Sequence, residues 1–201
     1  KYFDRFPLNS IELPKHLDQD VADLPKAARK LTKSQWHEWI VANKQWKKAV
    51  QGYLASLSFA DDMIGELLTV LDDGPLADNT TVILWGDHGY HLGEQGLWTK
   101  ANNYELSTRV PLVLSVPGQE NPGSRTDALV ELVDIYPTLV AACGLEAAQG
   151  VEGTSLMPLL TKPKRPWKAA VFSQYPRSYK GHRHSGRGDI MGYAVRTRNY
   201  R

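Results

Sequence analysis

The sequence predicts an α/β chain in which helices alternate with short buried strands. Three observations carry that reading. Apolar residues recur near a 3.6 period from Trp36 to Leu71. Two unbroken apolar, β-branched runs follow, at Thr80–Trp85 and Val110–Val116. A second helical period then runs from Asp127 to about Cys143, ahead of further strand-like runs.

Residues 1–31 read as irregular, because Pro7, Pro14 and Pro25 interrupt any helical pattern. Thr32-x-x-Gln35 has the form of a capping box before the first helical stretch. That stretch carries Ile40, Val50, Leu54, Leu57, Ile64, Leu67, Leu68 and Leu71. The polar cluster Lys44, Gln45, Lys47 and Lys48 predicts a break into two helices, and Asp72-Asp73-Gly74-Pro75 a stop. Thr80–Trp85 reads as a buried, parallel strand, because it lacks the alternation of a half-exposed one. The run after Arg109 reads as a second strand, closed by Pro117-Gly118. In the Asp127–Cys143 stretch, Pro137 predicts a kink or break, and Gly144 supplies a helix C-terminus. Ala169–Tyr175 and Ile190–Thr197 read as strands on either side of a Gly-, Arg- and His-rich loop.

The chain has 201 residues, 42% of them hydrophobic and 23% charged, with one cysteine. That length suits one domain or one and a half. The composition excludes a wholly disordered chain, and the lone Cys143 a disulfide-stapled one. No apolar run reaches the ~18 residues of a membrane helix. Lys1-Tyr2-Phe3-Asp4 opens without the apolar segment of a signal peptide. Charge is uneven: residues 162–201 hold eleven Lys and Arg against one acid, Asp189. Such an end can attract a polyanion or can be a solvated basic loop.

The sharpest segment is Trp85-Gly86-Asp87-His88-Gly89-Tyr90-His91-Leu92-Gly93-Glu94, directly after the first strand. Strand ends are where α/β sheets place their ligands. Asp87 and His88 offer a carboxylate and an imidazole, the donor types divalent cations take. The same pair also suits a strand-end turn that bonds local backbone. Lys100 lies thirteen residues past Asp87 in a Gly-containing loop, where its ammonium suits either an anionic oxygen or solvent.

The block from Gly86-Asp87-His88-Gly89 through Gly93-Glu94-x-Gly96-x-Trp98-x-Lys100, followed by Arg109-Val110-Pro111-Leu112-Val113, resembles the type I sulfatases of the alkaline phosphatase superfamily. The iduronate-2-sulfatase group is the nearest match. Ala49–Ser56, Leu129–Leu139, Ser173-Gln174-Tyr175-Pro176-Arg177 and Met191-Gly192-Tyr193 resemble it too. The resemblance implies an alkaline-phosphatase-like sheet sandwiched by helices, of which this chain carries the C-terminal half. Residues 1–164 would belong to the catalytic α/β domain, and residues 165–201 would begin a small C-terminal subdomain.

The family's formylglycine nucleophile arises from a Cys/Ser-x-Pro/Ala-x-Arg motif. Cys143-Gly144-Leu145-Glu146-Ala147 does not match it. The resemblance therefore implies that nucleophile and formylglycine lie in an N-terminal part outside this chain, and that the isolated chain is inactive. It assigns Asp87 and His88 to a divalent metal, usually calcium, and Lys100 to a sulfate oxygen. His91 is a candidate for substrate or supporting contact, and equally a simple loop histidine. Arg177, His182 and His184 are candidates for a cationic rim around a carboxylated, sulfated sugar, with a solvated loop as the alternative.

The implied activity is hydrolysis of a sulfate ester on a uronate-containing glycan. Its alternatives are a phosphodiesterase or phosphonate hydrolase of the same superfamily, and a non-enzymatic polyanion-binding module. The expected partners are a sulfated carbohydrate and the N-terminal part of the same protein, with no nucleic acid and no membrane. The resemblance implies a periplasmic, secreted or lysosomal setting.

Overall fold

The computed structural model describes residues 1–15, 21–23, 29, 32, 34–177 and 190–200. Its helices are α1 (Gln35–Ala42), α2 (Trp46–Asp72), α3 (Glu105–Thr108), α4 (Ile135–Ala142) and α5 (Met157–Thr161). Its strands are β1 (Val82–Trp85), β2 (His91–Leu92), β3 (Trp98–Thr99), β4 (Leu112–Ser115), β5 (Ala170–Arg177) and β6 (Ile190–Thr197). This mixture of helices and small sheets is the α/β class the sequence predicts. The chain divides into two units: Lys1–Ala77 with His88–Lys100, and Asp78–Asp87 with Ala101–Arg201.

In the first unit the predicted break between helices falls at Asn43–Gln45. Lys44 takes φ +54°, and the amides of Lys44 and Gln45 bond back to the carbonyls of Val41 and Ile40. This left-handed cap satisfies the last carbonyls of α1 and lets α2 start in a new direction. The expected capping box is absent. Ser34 is the N-cap residue, and the Thr32 hydroxyl donates instead to the Arg29 carbonyl at 2.9 Å. Gln35 is already the first helical residue, two positions before the one from which a capping-box side chain reaches back.

The N-terminal segment is held along α2. The Arg5 guanidinium forks onto both oxygens of Asp62 (3.1 and 3.0 Å), and Gln51 donates to the Phe6 carbonyl at 2.7 Å. The hydrogen bonds from Arg5 hold the Asp62 carboxyl below its ordinary range. Val50 and Ala55 are the buried residues of α2, whereas Leu67 and Val70 further along it are 69% and 72% exposed. No described helix is long and apolar enough to cross a membrane.

In the second unit β1 pairs with β4, from Val82 opposite Ser115 to Trp85 opposite Leu112, and the pairing is antiparallel. The parallel, buried strand expected from Thr80–Trp85 is corrected on both counts, since Leu84, Trp85 and Val113 are exposed. An unbroken β-branched run carries no information on the direction of its neighbour, and here β4 is its one partner among the described residues. β5 and β6 form a second antiparallel ribbon, from Ala170 opposite Thr197 to Arg177 opposite Ile190.

The helical stretch expected from Asp127 begins later, after a 3-10 turn at Leu132–Asp134. Pro137 thereby falls in the first turn of α4, where a missing amide proton costs nothing, so no kink is needed. Gly144 ends α4 at φ +64°, as the sequence predicts.

Asp134 has no exposed surface and is the anchor of this unit. Its two carboxylate oxygens accept from Lys168 Nζ (2.7 and 2.8 Å), the Thr154 amide (2.7 Å) and the Glu131 amide (2.9 Å). Glu131 takes a further bond from Lys168 (2.7 Å) and one from the Phe172 amide of β5 (2.9 Å). Thr138 Oγ1 donates to the Asp134 carbonyl and accepts from the Leu156 amide, just before α5. The start of α4, the 153–156 loop, Lys168 and β5 are thus tied at one point.

Burial penalises the charge on Lys168, but the hydrogen bonds it donates to Asp134 and Glu131, and their charges, outweigh it and raise its pKa. Its contribution to stability is therefore complete below the ordinary lysine value of 10.5 and is lost as pH rises through the higher folded-state value. Lys168→Met should lower stability by about 3 kcal/mol, because it strands a buried carboxylate. Urea melts of the complete protein check this, with Asp134→Asn added to relieve the stranded charge. A Lys168→Met loss under about 1 kcal/mol would deny the cluster its anchoring role.

Candidate active site

The predicted site segment leaves β1 through Gly86, whose amide bonds the Pro111 carbonyl at 3.1 Å and so extends the β1–β4 ladder by one residue. Asp87 follows and is exposed. The division between the two units falls in the peptide bond from Asp87 to His88.

Within the first unit the His88 ring is half-buried and faces Lys100. Lys100 Nζ donates to His88 Nε2, and His88 Nδ1 lies 2.8 Å from the Gly89 carbonyl. Only a protonated Nδ1 can bond a carbonyl, so the ring's one lone pair is on Nε2, where it accepts from Lys100. A backbone carbonyl on the far ring nitrogen is also how metal-binding histidines are commonly oriented. His88 has the tautomer of a metal ligand, but a metal would have to displace Lys100 from Nε2; Asp87 is the adjacent carboxylate in sequence. These two donors are a partial set: no group of three or more metal-binding side chains occurs among the described residues.

Lys100 stands at the end of a short hairpin in which His91 pairs with Thr99 and Leu92 with Trp98. The turn is tight. Gly93, Gln95 and Gly96 all take positive φ (+116°, +52° and +68°), and the Gly93 amide bonds the Leu97 carbonyl at 2.9 Å. Glu94 closes it by accepting the Leu92 amide at 2.7 Å. Thr99 also has positive φ (+69°), rare for a β-branched residue and a local strain immediately before Lys100.

Helices α1 and α2 hold this hairpin through aromatic rings. Trp46 Nε1 donates to the Leu92 carbonyl at 2.6 Å, and Trp98 Nε1 donates to His37 Nδ1 at 3.2 Å. The His37 and Trp46 rings meet edge to face at 5.0 Å, and Tyr53 stacks on Tyr90 at 5.2 Å. Trp98 and Tyr90 belong to the motif read in the sequence, whereas the supporting roles of His37, Trp46 and Tyr53 escaped it. Their one visible signal is Trp46, an aromatic set in a lysine-rich break between helices.

His91 is fully buried in β2, inside the hairpin. Arg177 ends β5, while His182 and His184 lie outside the described residues. The single cysteine, Cys143, is exposed at the end of α4.

The fold is alkaline-phosphatase-like. A phosphonate monoester hydrolase from Silicibacter pomeroyi superposes at TM-score 0.81 with 24% identity, covering 98% of this chain and 42% of that one. A protein solved in complex with its substrate D-glucosamine-2-N,6-O-disulfate superposes at TM-score 0.68 with 27% identity, over 90% of this chain and 35% of that one.

Residues 14–145 match the family described as Sulfatase, and residues 93–201 match "N-sulphoglucosamine sulphohydrolase, C-terminal". The chain belongs to the sulfatase family. It is 39% identical to a sulfatase of Formosa agariphila, over 81% of this chain and 32% of the relative. It is 32% identical to human iduronate 2-sulfatase, over 77% of this chain and 37% of the relative. The chain thus spans about a third of the length of these curated relatives.

A Cβ built on Gly93 would lie 2.3 Å from Trp46 Cζ2, on top of the cost of its positive φ. Gly93→Ala should therefore cost at least about 2 kcal/mol. In a Trp46→Leu background the same substitution should cost less, because the ring it meets is gone; a double-mutant cycle on thermal melts measures the difference. Equal costs in both backgrounds would mean that backbone conformation alone demands glycine there.

Proposed function

We propose that the complete protein carrying this chain hydrolyses a sulfate ester on a uronate-containing glycan. The observation that carries the reading is the contact of the Lys100 ammonium with His88 in a family member whose relatives include iduronate 2-sulfatase. In sulfate-ester cleavage the bond from sulfur to the sugar oxygen breaks, and negative charge grows on the leaving oxygen. An ammonium fixed at the end of a rigid hairpin can stabilise that charge without reorganising in the transition state. Lys100 supplies it, and the clamp of Trp46 and His37 keeps the hairpin from relaxing. A cation on His88 Nε2 would take the lone pair that Lys100 bonds here, which would free the ammonium for a sulfate oxygen.

Asp87 and His88 would together help hold a divalent cation, calcium by family resemblance, with oxygen ligands from outside this chain. Such an ion would offset the charge of the bound sulfate. The nucleophile, a formylglycine in this reading, belongs to the part of the protein outside these residues. Arg177, His182 and His184 would meet the sugar's carboxylate and sulfate groups. His91, buried in the hairpin, supports it instead. A family member of this kind would work in a periplasmic, secreted or lysosomal compartment.

Lys100→Ala in the complete protein should lower kcat about 100-fold or more, as loss of a transition-state donor does. Its stability should change by only about 0.5 kcal/mol, since the side chain is exposed. Lys100→Arg should rescue poorly, because a planar fork does not replace a point charge. Steady-state rates on a 2-sulfated uronate disaccharide, with parallel melts, decide this: unchanged kcat removes Lys100 from the reaction. A phosphonate or phosphodiester substrate turned over faster than the sulfate would overturn the sulfatase reading itself.

Asp87→Ala and His88→Ala should each lower bound divalent metal, measured by elemental analysis of the purified complete protein. Normal metal content in both variants would dismiss them as ligands.

A further inference from the structure

Two segments of the second unit meet at residues 121–126 and 161–166. Asn121 Nδ2 donates to the Thr161 carbonyl at 2.9 Å, and Thr126 Oγ1 to the Pro163 carbonyl at 2.6 Å. The Arg165 amide bonds the Lys162 carbonyl at 3.1 Å and closes a turn. Between the segments lies an open surface groove of about 690 Å³. Four cations line it: Arg125, Lys162, Lys164 and Arg165. Ser124, Pro163 and Pro166 make up the rest of its wall, and no carboxylate does.

Some cations of the chain are neutralised locally. Arg5, Arg109, Lys168 and Arg196 each lie in an ion pair. Among the described residues none of the four groove cations has an acidic partner. Like charges gathered without counter-charges repel, and a ligand with several negative groups relieves that repulsion. The segment is also stiff. Pro163 and Pro166 fix two backbone angles, and the Arg165 guanidinium lies 5.8 Å from the Trp167 ring. A restricted backbone under these exposed side chains lowers the entropy lost on binding.

We infer that this groove binds a sulfated, carboxylated glycan chain, holding the polymer rather than reacting with it. The identity of the polymer rests on the sulfatase reading above. Pyrrolidine rings offer apolar contact to the C–H faces of sugars. The groove wall has no aromatic ring on which a nucleobase could stack, which disfavours a nucleic acid.

The test uses the complete protein and a fully sulfated heparin octasaccharide, titrated over a series of salt concentrations. The variant Arg125→Gln/Lys164→Gln/Arg165→Gln should bind at least about tenfold more weakly. Its salt slope should fall by about one per cation removed. Arg125→Lys/Arg165→Lys should keep most of the affinity. Hydrolysis of a small aryl sulfate should be unchanged in both.

Unchanged octasaccharide affinity in the triple variant overturns the inference. So does a single-stranded DNA of equal charge that binds as tightly and is lost equally, or a parallel loss of aryl sulfate turnover. If the triple variant melts early, Arg125→Gln and Lys164→Gln are read singly. Each should flatten the slope by about one, and normal melts with no flattening in either overturn the inference. A wild type that binds the octasaccharide but cleaves no sulfate ester would defeat the sulfatase reading and leave the groove standing.

Discussion

A carboxylate with no exposed surface must be answered by donors on every side, and Asp134 organises the second unit by that demand. Its donors come from the turn before α4, from the 153–156 loop and from Lys168. Glu131 adds the amide of Phe172 in β5. The approach is close enough that a Cβ on Gly153 would lie 2.1 Å from the Val133 carbonyl. Segments up to 41 residues apart in sequence are fixed by one cluster of charge-assisted hydrogen bonds. The strand ribbon of β5 and β6 takes its attachment to the helical segment from there.

The first unit solves its own problem with neutral groups. Its hairpin is too short to be stable alone, since two residues per strand form almost no ladder. Indole and imidazole rings from α1 and α2 supply what the ladder lacks, each ring giving both apolar contact and one directed hydrogen bond. The result is an exposed ammonium, Lys100, mounted on a rigid base. The clamp itself is built from uncharged groups and adds no competing ion next to that ammonium.

Apolar surface is left over in both units. Leu67 and Val70 on α2, Trp85 and Val113 in the β1–β4 pair, and Phe172 and Tyr193 in the β5–β6 ribbon are all exposed. Strands read as buried from composition are half-covered at best. The relatives that show the family are about three times as long, so the same strand sequences there have far more chain available to cover them.

The sequence by itself determined the class, the break at Lys44, the stop at Gly144 and the motif from Asp87 to Lys100. Those are local signals: a period, a backbone angle, an order of residue types along one segment. Tertiary structure decided the rest. It set the antiparallel pairing of β1, which an apolar run leaves open. It moved the start of α4 to Ile135 and so made Pro137 harmless. It brought His37 and Trp46 against the hairpin, and Arg125 and Lys164 to one groove, from positions whose spacing in sequence carries no trace of their meeting. Contacts between distant residues depend on how helices and turns are packed, and packing energy is summed over surfaces that no single stretch of sequence contains.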